Sequence, residues 1–269
     1  MIQATPGAVP HDRRRLAADL TALGLPRRDV LVHCVMRQIG PTAGGPATVL
    51  GALRDVVGPH ATVVVSAQTP SNSTTSPAFR CATMGVDPSQ LGEYEAAIPG
   101  FHPRTTPSEG MRALAEHVRL AAGAVRSTHP QASFSALGPN AAAHRAIHDL
   151  DCHLGERSPL AALYAADASI LMLGVGYEVC TAIHLAEYWS DRPPSTRRYR
   201  CFTNEGGRRV QHDFVAADLD DSDFGQLGAD AERAGLVVVG RVGDAPARLV
   251  RMPVLVDFAI RWLNEHRRG

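Results

Sequence analysis

The chain has 269 residues, 45% of them hydrophobic, which is enough to bury a large core. Its 27 acidic residues balance its 27 basic residues, all of which are arginine, and this disfavours a nucleic-acid surface built as a basic tail or stripe. No apolar run is long enough to span a membrane, and residues 1–7 lack the basic and apolar regions of a signal peptide. We therefore expect a cytoplasmic protein that binds neither nucleic acid nor membranes.

The cysteines are widely spaced, and none is paired with another at metal-ligand spacing: Cys34, Cys81, Cys152, Cys180 and Cys201. An odd number of such residues in a cytoplasmic protein predicts reduced thiols rather than a disulfide framework. The same pattern predicts that the protein holds no metal.

The first part of the chain alternates helix and strand. Apolar residues at helical spacing predict a helix over residues 12–23, and β-branched residues predict a strand over residues 29–33. A turn-rich segment then leads to a helix predicted over residues 47–57. Gly44 and Gly45, just before that helix, could present backbone N–H groups to a ligand or could merely connect two elements.

A long irregular segment, residues 68–110, follows a strand predicted over residues 62–66. The segment is rich in Pro, Ser, Thr and Gly, and ordered loops of this length are often functional. Two interpretations stay open, a mobile surface insertion and a lid over the substrate. The groups that could meet a polar substrate are Glu93, Glu95, His102 and Glu109.

Polar and aromatic side chains cluster in residues 126–138, which we predict to form a shaped loop or a short strand. A lone histidine before proline suits a structural role better than a catalytic one. Residues 139–149 are predicted to be helical. Glu156 then lies in a glycine-bounded turn before a helix predicted over residues 159–165, where proline fits the first turn. Glu156 could orient an imidazole from another segment or pair with a nearby arginine.

The stretch from residue 168 to residue 191 combines a buried strand, a glycine turn and a polar helix. Residues 168–174 form an uninterrupted apolar run, which is typical of a strand covered on both faces. Gly174 and Gly176 allow a tight exit, and Thr181 can cap the following helix. Spacings of three, four and seven residues place one imidazole and several acceptors on one helical stripe: His184, Glu187, Tyr188 and Asp191.

The remaining chain is predicted to complete one α/β domain. Residues 192–200 are basic and residues 213–223 carry five aspartates, so we predict loops or a solvated rim for both. An apolar run at residues 235–240 predicts a strand. An amphipathic helix is predicted over residues 253–267 and could form core or a homodimer interface. Because no repeat or linker divides the chain, residues 1–269 are expected to form a single domain, a sheet flanked by helices.

Four segments in a fixed order carry a family resemblance: Val32–Gly40 with Gly44-Gly45, Arg126–Phe134, Leu154–Leu160, and Gly174–Glu187. Together they resemble the aminoglycoside 3-N-acetyltransferase family over roughly residues 12–265. The resemblance implies the α/β fold of that family, and the phosphate loop of GCN5-type acetyltransferases is indeed missing from the sequence. It also implies acetyl-CoA-dependent transfer to an amino group of an aminoglycoside or a related natural product.

The resemblance further implies which residues meet the two substrates. Acetyl-CoA would contact His33, Cys34, Val35, Arg37, Gly44, Gly45, Arg126, Ser127, His129, Ser133 and Phe134. The amine acceptor would meet His102, Glu178 and Asp191. Two positions depart from the family pattern, since Cys34 replaces a hydroxylated residue and His102 replaces the aspartate of a Phe-Asp-Pro tripeptide. The second exchange bears on the acceptor, because losing an acid weakens the attraction for a polycationic sugar.

Attack of an amine on a thioester needs a base that accepts a proton near neutral pH, and imidazole is suited to this task. We hypothesise that His184 is that base. Glu187 or Glu156 would fix its tautomer and stabilise the imidazolium, and the sequence does not choose between them. Thr181 could donate a hydrogen bond to the thioester oxygen as charge develops there.

Two other functions stay open. Cys34 beside His33, or Cys180 beside Thr181, could carry the acetyl group in a ping-pong reaction, although adjacent strand residues point to opposite faces. Alternatively, the chain binds CoA or a metabolite without catalysis. Antibiotic resistance, self-protection and biosynthetic acetylation are all compatible with the same residues.

Overall fold

A mixed sheet organises the chain. The computed structural model describes residues 9–267, so residues 1–7, on which the expectation about a signal peptide rests, lie outside the described residues. The first elements are α1 (Arg13–Ala22), β1 (Val30–Cys34), α2 (Met36–Ile39), α3 (Pro46–Val57), β2 (Val63–Ser66), α4 (Pro77–Ala82), α5 (Leu91–Ala96), α6 (Arg112–Leu120), β3 (Val125–Arg126) and β4 (Phe134–Leu137). They are followed by α7 (Ala141–His144), α8 (Pro159–Ala165), β5 (Ser169–Leu173), α9 (Ile183–Trp189), β6 (Thr196–Glu205), β7 (Arg208–Ala217), α10 (Phe224–Arg233), β8 (Val238–Val242), β9 (Ala245–Arg251) and α11 (Met252–His266).

Seven strands form the main sheet in the order β3-β4-β2-β1-β5-β9-β8. The three central strands, β2, β1 and β5, are parallel, and the strands outside them pair in antiparallel fashion. Val30 is paired with Val63 on one side and with Ser169 on the other. The carboxyl ends of β1 and β5 therefore meet at one edge of the sheet, the position where open α/β sheets bind ligands.

Helices cover both faces of this sheet. Successive strand residues point to opposite faces, so Val30 and Val32 pack with α1, α3 and α6, whereas Leu31 packs with α8, α9, α10 and α11. All three of these side chains are buried. The arrangement confirms the predicted α/β fold, a sheet flanked by helices. Within residues 9–267, none of the helices has the length and apolar character that a membrane crossing needs.

The structure replaces the loops expected over residues 192–223 with a long β-hairpin, β6–β7. Gly206 and Gly207 form its turn with φ angles of 60° and 85°. Positive φ at both positions suits a two-residue hairpin turn, and Gly-Gly is one of its sequence signals. The prediction of loops is therefore wrong for residues 196–200 and 213–217, because their charged side chains occupy the exposed positions of paired strands, whereas residues 192–195 and 218–223 lie outside the strands.

The segment 68–110 contains helices α4 and α5 and packs on the hairpin. The backbone N–H of Phe101 donates to the carbonyl of Phe202 at 2.8 Å. At the base of the segment, the N–H of Ser71 donates to a carboxylate oxygen of Glu109 at 3.0 Å. The segment is thus an ordered insertion that is tied down at both ends, and its role as a lid stays a prediction.

Most other predicted elements agree with the structure to within a few residues. The main exception is the helix expected over residues 139–149, of which only α7 forms. The Nδ1 atom of His148 lies 2.9 Å from the hydroxyl of Ser127. This buried tertiary contact fixes the chain beyond α7 in a non-helical path and overrides its helix propensity.

A network of buried ionisable groups lies at the edge of the sheet where β1 and β5 begin, opposite to the edge where these strands end. Asp29 accepts hydrogen bonds from the N–H of Thr62 at 2.7 Å and from the amide of Asn140 at 3.1 Å, and its Oδ2 lies 2.5 Å from Nε2 of His144. Burial alone would raise the pKa of Asp29, but the hydrogen bonds from His144, Thr62 and Asn140 outweigh it and lower this pKa. The carboxylate is therefore stabilised in its charged form.

We predict that Asp29→Ala lowers the free energy of unfolding at pH 7 by about 3 kcal/mol, because it leaves the buried donors of Thr62 and His144 without an acceptor and also removes the bond from Asn140. The native pKa of Asp29 is lower than the unfolded value of about 3.9, so its contribution is present above that pH and is lost as pH falls through the native value. Urea unfolding at pH 7 and at pH 3 measures both effects. Asp55→Ala, which breaks an exposed pair with Arg13, is the control and should change stability far less. An equal loss in both variants would contradict the prediction.

Candidate active site

A cleft of about 720 Å³ opens at the carboxyl ends of β1 and β5. One wall comes from the end of β1 and from α2, and another from the segment that joins β5 to α9. The residues predicted from the sequence that line the cleft are His33, Cys34, Val35, Arg37, Glu178, Thr181 and His184. Both ends of the 68–110 insertion also reach it, through Gln68 and through Gly110 and Met111.

Gly174 makes the tight exit from β5 that the sequence predicts. Its φ angle is +66°, and a Cβ atom at this position would lie only 2.2 Å from Cβ of Gln38 in α2. A side chain here would therefore collide with α2 and would also adopt an unfavourable backbone conformation. Because residue 174 is glycine, the chain can turn closely past α2, and α9 then lies at the cleft.

His184 and Glu187 form a hydrogen-bonded pair on α9. Nδ1 of His184 lies 2.5 Å from Oε2 of Glu187, as their spacing of three residues on a helix allows. Glu187 is only 1% exposed, whereas the His184 ring is partly open to the cleft. Because Nδ1 is engaged, the Nε2 atom is the one available to a ligand, and the carboxylate fixes this tautomer.

The other carboxylate oxygen of Glu187 is also occupied. Nη1 of Arg267 donates to Oε1 at 2.5 Å, and the N–H of Asp220 donates to the same oxygen at 3.2 Å. A buried carboxylate needs such partners to stay ionised. The guanidinium of Arg267 has its pKa raised, mainly by its hydrogen bonds to Asp223 and also by those to Glu187.

Thr181 does not cap α9, which corrects that prediction. The N-cap position is Ala182, and no side chain closes the first turn of the helix. The Oγ1 atom of Thr181 instead lies 3.5 Å from Nε2 of His33, across the cleft floor between β1 and β5. Burial lowers the pKa of His33 to about 4, so its ring is neutral near pH 7.

Charged residues of both signs surround the cleft. Arg37, Arg112 and Arg248 supply positive charge, and Glu178 and Asp221 supply carboxylates. Arg112 also has a φ angle of 67°, which is uncommon for a residue other than glycine. The cleft can therefore hold an anionic group and an ammonium group at the same time.

Several predicted site residues lie away from the cleft. Gly44 and Gly45, both with positive φ, form the turn into α3 rather than a wall of the cleft. Glu156 is exposed and makes no contact with His184, because Glu187 occupies that place. Asp191 is exposed and is bonded to Asn264, while His102 turns its Nδ1 toward the N–H of Arg104.

The segment Arg126–Phe134 is buried beside the cleft and does not line it. Arg126 donates to the hydroxyl of Ser133 at 2.9 Å and to the carbonyl groups of Ala67 and Thr106. Ser127, His129 and Phe134 are likewise buried, and their polar atoms are satisfied within the fold. In the structure, this segment therefore contributes hydrogen bonds that hold the fold together, which differs from the expected contact with acetyl-CoA.

His129 belongs to a cluster of three buried imidazole rings. Its centroid lies 4.8 Å from that of His148 and 4.6 Å from that of His153. Burial lowers the pKa of His148 to about 4, and burial together with the neighbouring charges lowers that of His153 to about 3. All three rings are therefore neutral at pH 7, which is consistent with their structural role.

Sequence reasoning missed four charged residues that matter to this site. Asp221 lies in the segment with five aspartates, which was predicted as a loop or a solvated rim, and the structure places it in a loop that lines the cleft. Arg112 begins α6 and Arg248 lies in β9, and the sequence gave no sign that either faces a ligand. Arg267 reaches Glu187 from 80 positions along the chain, and only the tertiary structure brings the two together.

A histidine held by a buried carboxylate in an open cleft has the arrangement of a general base, which enzymes use to take a proton from a substrate. The family model for aminoglycoside 3-N-acetyltransferase matches residues 31–264. Aminoglycoside N(3)-acetyltransferase VII of Streptomyces paromomycinus is 36% identical over 282 residues, which cover 95% of this chain and 92% of that protein. The chain therefore belongs to the aminoglycoside 3-N-acetyltransferase family, as the sequence resemblance predicts.

Solved structures agree with this assignment. The crystal structure of YokD from Bacillus subtilis has a TM-score of 0.89 and 29% identity, with 97% of each chain covered. A binary complex of AAC-IIIb with CoASH has a TM-score of 0.84 and 30% identity and covers 96% of this chain and 97% of that chain. The prediction of an acyltransferase of this family, with its α/β fold, is confirmed.

The depressed pKa values of the histidine cluster predict a loss of stability in acid. The unfolded pKa of about 6.5 exceeds the native values, so the unfolded chain binds more protons between about pH 6.5 and 4 and stability falls as pH decreases. We expect His153→Gln to remove about 1–2 kcal/mol of the decrease between pH 6.5 and 4.5, as measured by urea unfolding. His60→Gln alters an exposed histidine and should leave the pH dependence unchanged. Parallel curves for the parent and His153→Gln would refute this expectation.

Proposed function

We propose that the chain transfers the acetyl group of acetyl-CoA directly to an amino group of an aminoglycoside or a related natural product. The observation that carries this proposal is the His184–Glu187 pair in the wall of the cleft. Family membership and the names of the relatives support the acceptor class, and the CoASH complex of a similar structure supports the donor.

The proposed transfer forms one bond, breaks one bond and moves one proton through His184. The amine nitrogen forms a bond to the acetyl carbon, and the carbon–sulfur bond of the thioester breaks. Nε2 of His184 accepts the amine proton, and the imidazolium then returns a proton to the CoA thiolate. Glu187 holds the ring and stabilises its charged form. In this proposal Thr181 donates a hydrogen bond to the thioester oxygen.

The shape and charge of the cleft suit both substrates. Its volume of about 720 Å³ lies within the usual range of ligand pockets. Arg37 and Arg112 of its lining suit the phosphates of acetyl-CoA, since guanidinium groups bind phosphate in bidentate fashion, whereas Arg248 is bonded to Glu232 and to the carbonyl of Val175. We assign acetyl-CoA to the side lined by His33, Cys34, Val35 and Arg37, and the acceptor to the side of Glu178 and Asp221. The two carboxylates there would bind ammonium groups.

His184→Ala should lower kcat for acetyl transfer by about 10²–10⁴-fold, because a general base typically contributes that much. The release of CoA thiol is measured with acetyl-CoA and a panel of aminoglycosides and other amine-bearing natural products. His60→Ala, at an exposed site, is the matched control and should retain the parental rate. A rate in His184→Ala within threefold of the parent would exclude His184 as the base. Saturable binding of CoA without thiol release from any amine would instead favour a non-catalytic binding protein.

The alternative of a covalent acetyl-cysteine makes a different prediction. Burial raises the pKa of the Cys34 thiol to about 12 and that of the Cys180 thiol to about 12, so neither forms the reactive thiolate readily. We expect Cys34→Ala and Cys180→Ala to keep kcat within about threefold of the parent. Mass spectrometry of the protein mixed with acetyl-CoA alone should show no added acetyl group. An acetylated protein that is lost in either variant would establish the ping-pong route.

A further inference from the structure

Arg267, which follows α11, lies directly behind the His184–Glu187 pair. Its guanidinium uses four hydrogen bonds to join separate parts of the fold. Nη1 donates to Glu187, Nε and Nη2 donate to the two carboxylate oxygens of Asp223 at 2.7 Å each, and Nη2 also donates to the carbonyl of Asp220 at 2.5 Å. The planar fork of an arginine is needed for such bridging, and the compact ammonium of a lysine does not reproduce it.

We propose that Arg267 is a positioning residue for acetyl transfer, which sets both the orientation of Glu187 and the charge that Glu187 presents to His184. The inference rests on the proposed role of His184 as the base. With Arg267, the hydrogen-bonded pair becomes a chain of three groups among the described residues: His184, Glu187 and Arg267.

Arg267 stabilises Glu187 electrostatically. Glu187 is 1% exposed, and a carboxylate so deeply buried carries a large desolvation cost unless a cation and hydrogen bonds offset it. His184 is neutral in its basic form, so it supplies no compensating charge before it accepts a proton. Arg267 supplies that charge throughout the reaction.

Arg267 also fixes the position of Glu187. The ring of Phe224 lies near both partners of Glu187, with its centroid 4.8 Å from that of His184 and 6.0 Å from the guanidinium carbon of Arg267. Through its bonds to Asp220 and Asp223, Arg267 also holds the segment that carries Asp221 in the lining of the cleft. A change at Arg267 therefore acts on His184 through Glu187 and on the cleft lining through this segment.

The charged groups around His184 come from several elements. Glu187 lies on α9 itself, and the segment before α10 contributes Asp220, Asp221 and Asp223. His33 on β1 and His153 before α8 are held neutral by burial near pH 7. Arg267 is the cation bonded to the carboxylate that holds the ring. Its removal takes a positive charge away from the hydrogen-bonded His184–Glu187 pair, so the pair binds a proton more tightly, whichever of the two groups carries it.

The direction of this change in proton binding gives a test that discriminates between a positioning role and a purely structural role. In Arg267→Gln, the pair keeps this proton to higher pH, so the acid limb of the profile of kcat/KM against pH should move up by about 0.5 pH unit or more. The value of kcat/KM at pH 7 should fall about tenfold. A purely structural role would reduce the amount of folded enzyme and scale the whole profile down without shifting it.

Two matched variants complete the experiment. Arg251→Gln removes the same charge from a residue that is paired with Asp167 at the opposite end of β5, and its profile should coincide with that of the parent. Arg267→Lys keeps the charge but loses the bridging fork, so we expect a threefold to tenfold lower kcat with the acid limb within about 0.2 pH unit of the parent. Thermal melting of each variant reports the folded fraction.

The outcomes separate this inference from the proposed function. If His184→Ala is inactive while Arg267→Gln is folded and keeps the parental rate and profile, only the role of Arg267 is overturned. If His184→Ala retains its rate, the proposed function fails and this inference fails with it. If Arg267→Gln does not fold, Arg267→Lys decides, and parental kcat in that variant would overturn the proposal.

Discussion

The parallel pairing of β1 with β5 is the constraint on which the site depends. Five consecutive positions are paired, from Val30 with Ser169 to Cys34 with Leu173, and both strands leave the sheet at the same edge. His33 is the penultimate residue of β1, while the chain after β5 passes Gly174 and reaches α9. A shift of the pairing by one residue would turn each side chain to the opposite face and separate the two walls of the cleft.

The deeply buried Glu187 imposes a second constraint, because its two oxygens demand partners from different parts of the fold. One oxygen meets His184 on the same helix, and the other meets Arg267 and the backbone of Asp220. The helix α11, which could be read as core or interface from its sequence, thereby places a cation behind the site. The packing of α11 on the sheet is thus physically linked to the hydrogen bonds of the His184–Glu187 pair in the cleft.

The sequence predicts contacts between residues that are close along the chain, but it does not predict contacts between distant segments. The buried strand β5, its glycine exit and the placement of His184 and Glu187 on one stripe of α9 follow from the sequence pattern, since residues three apart on a helix lie on the same face. Sequence spacing did not choose between Glu187 and Glu156, because a turn from another segment can reach any helix. The segment Arg126–Phe134 has ligand-like side chains, yet its hydrogen bonds are used to hold the strands together. The β6–β7 hairpin was missed because its charged residues masked a regular alternation, although Gly206-Gly207 signalled the turn.

The base of the 68–110 insertion has a consequence for how such a site can diversify. Glu109 is bonded both to Ser71 and, through its N–H, to the carbonyl of Gln68, so the two ends of the insertion are clamped together. The entropy of closing a loop changes only slowly with its length. Residues between the clamped ends can therefore be inserted, deleted or exchanged with little effect on the sheet. The insertion is free to vary in evolution while Gln68 and Gly110, at its two ends, keep their places in the cleft lining.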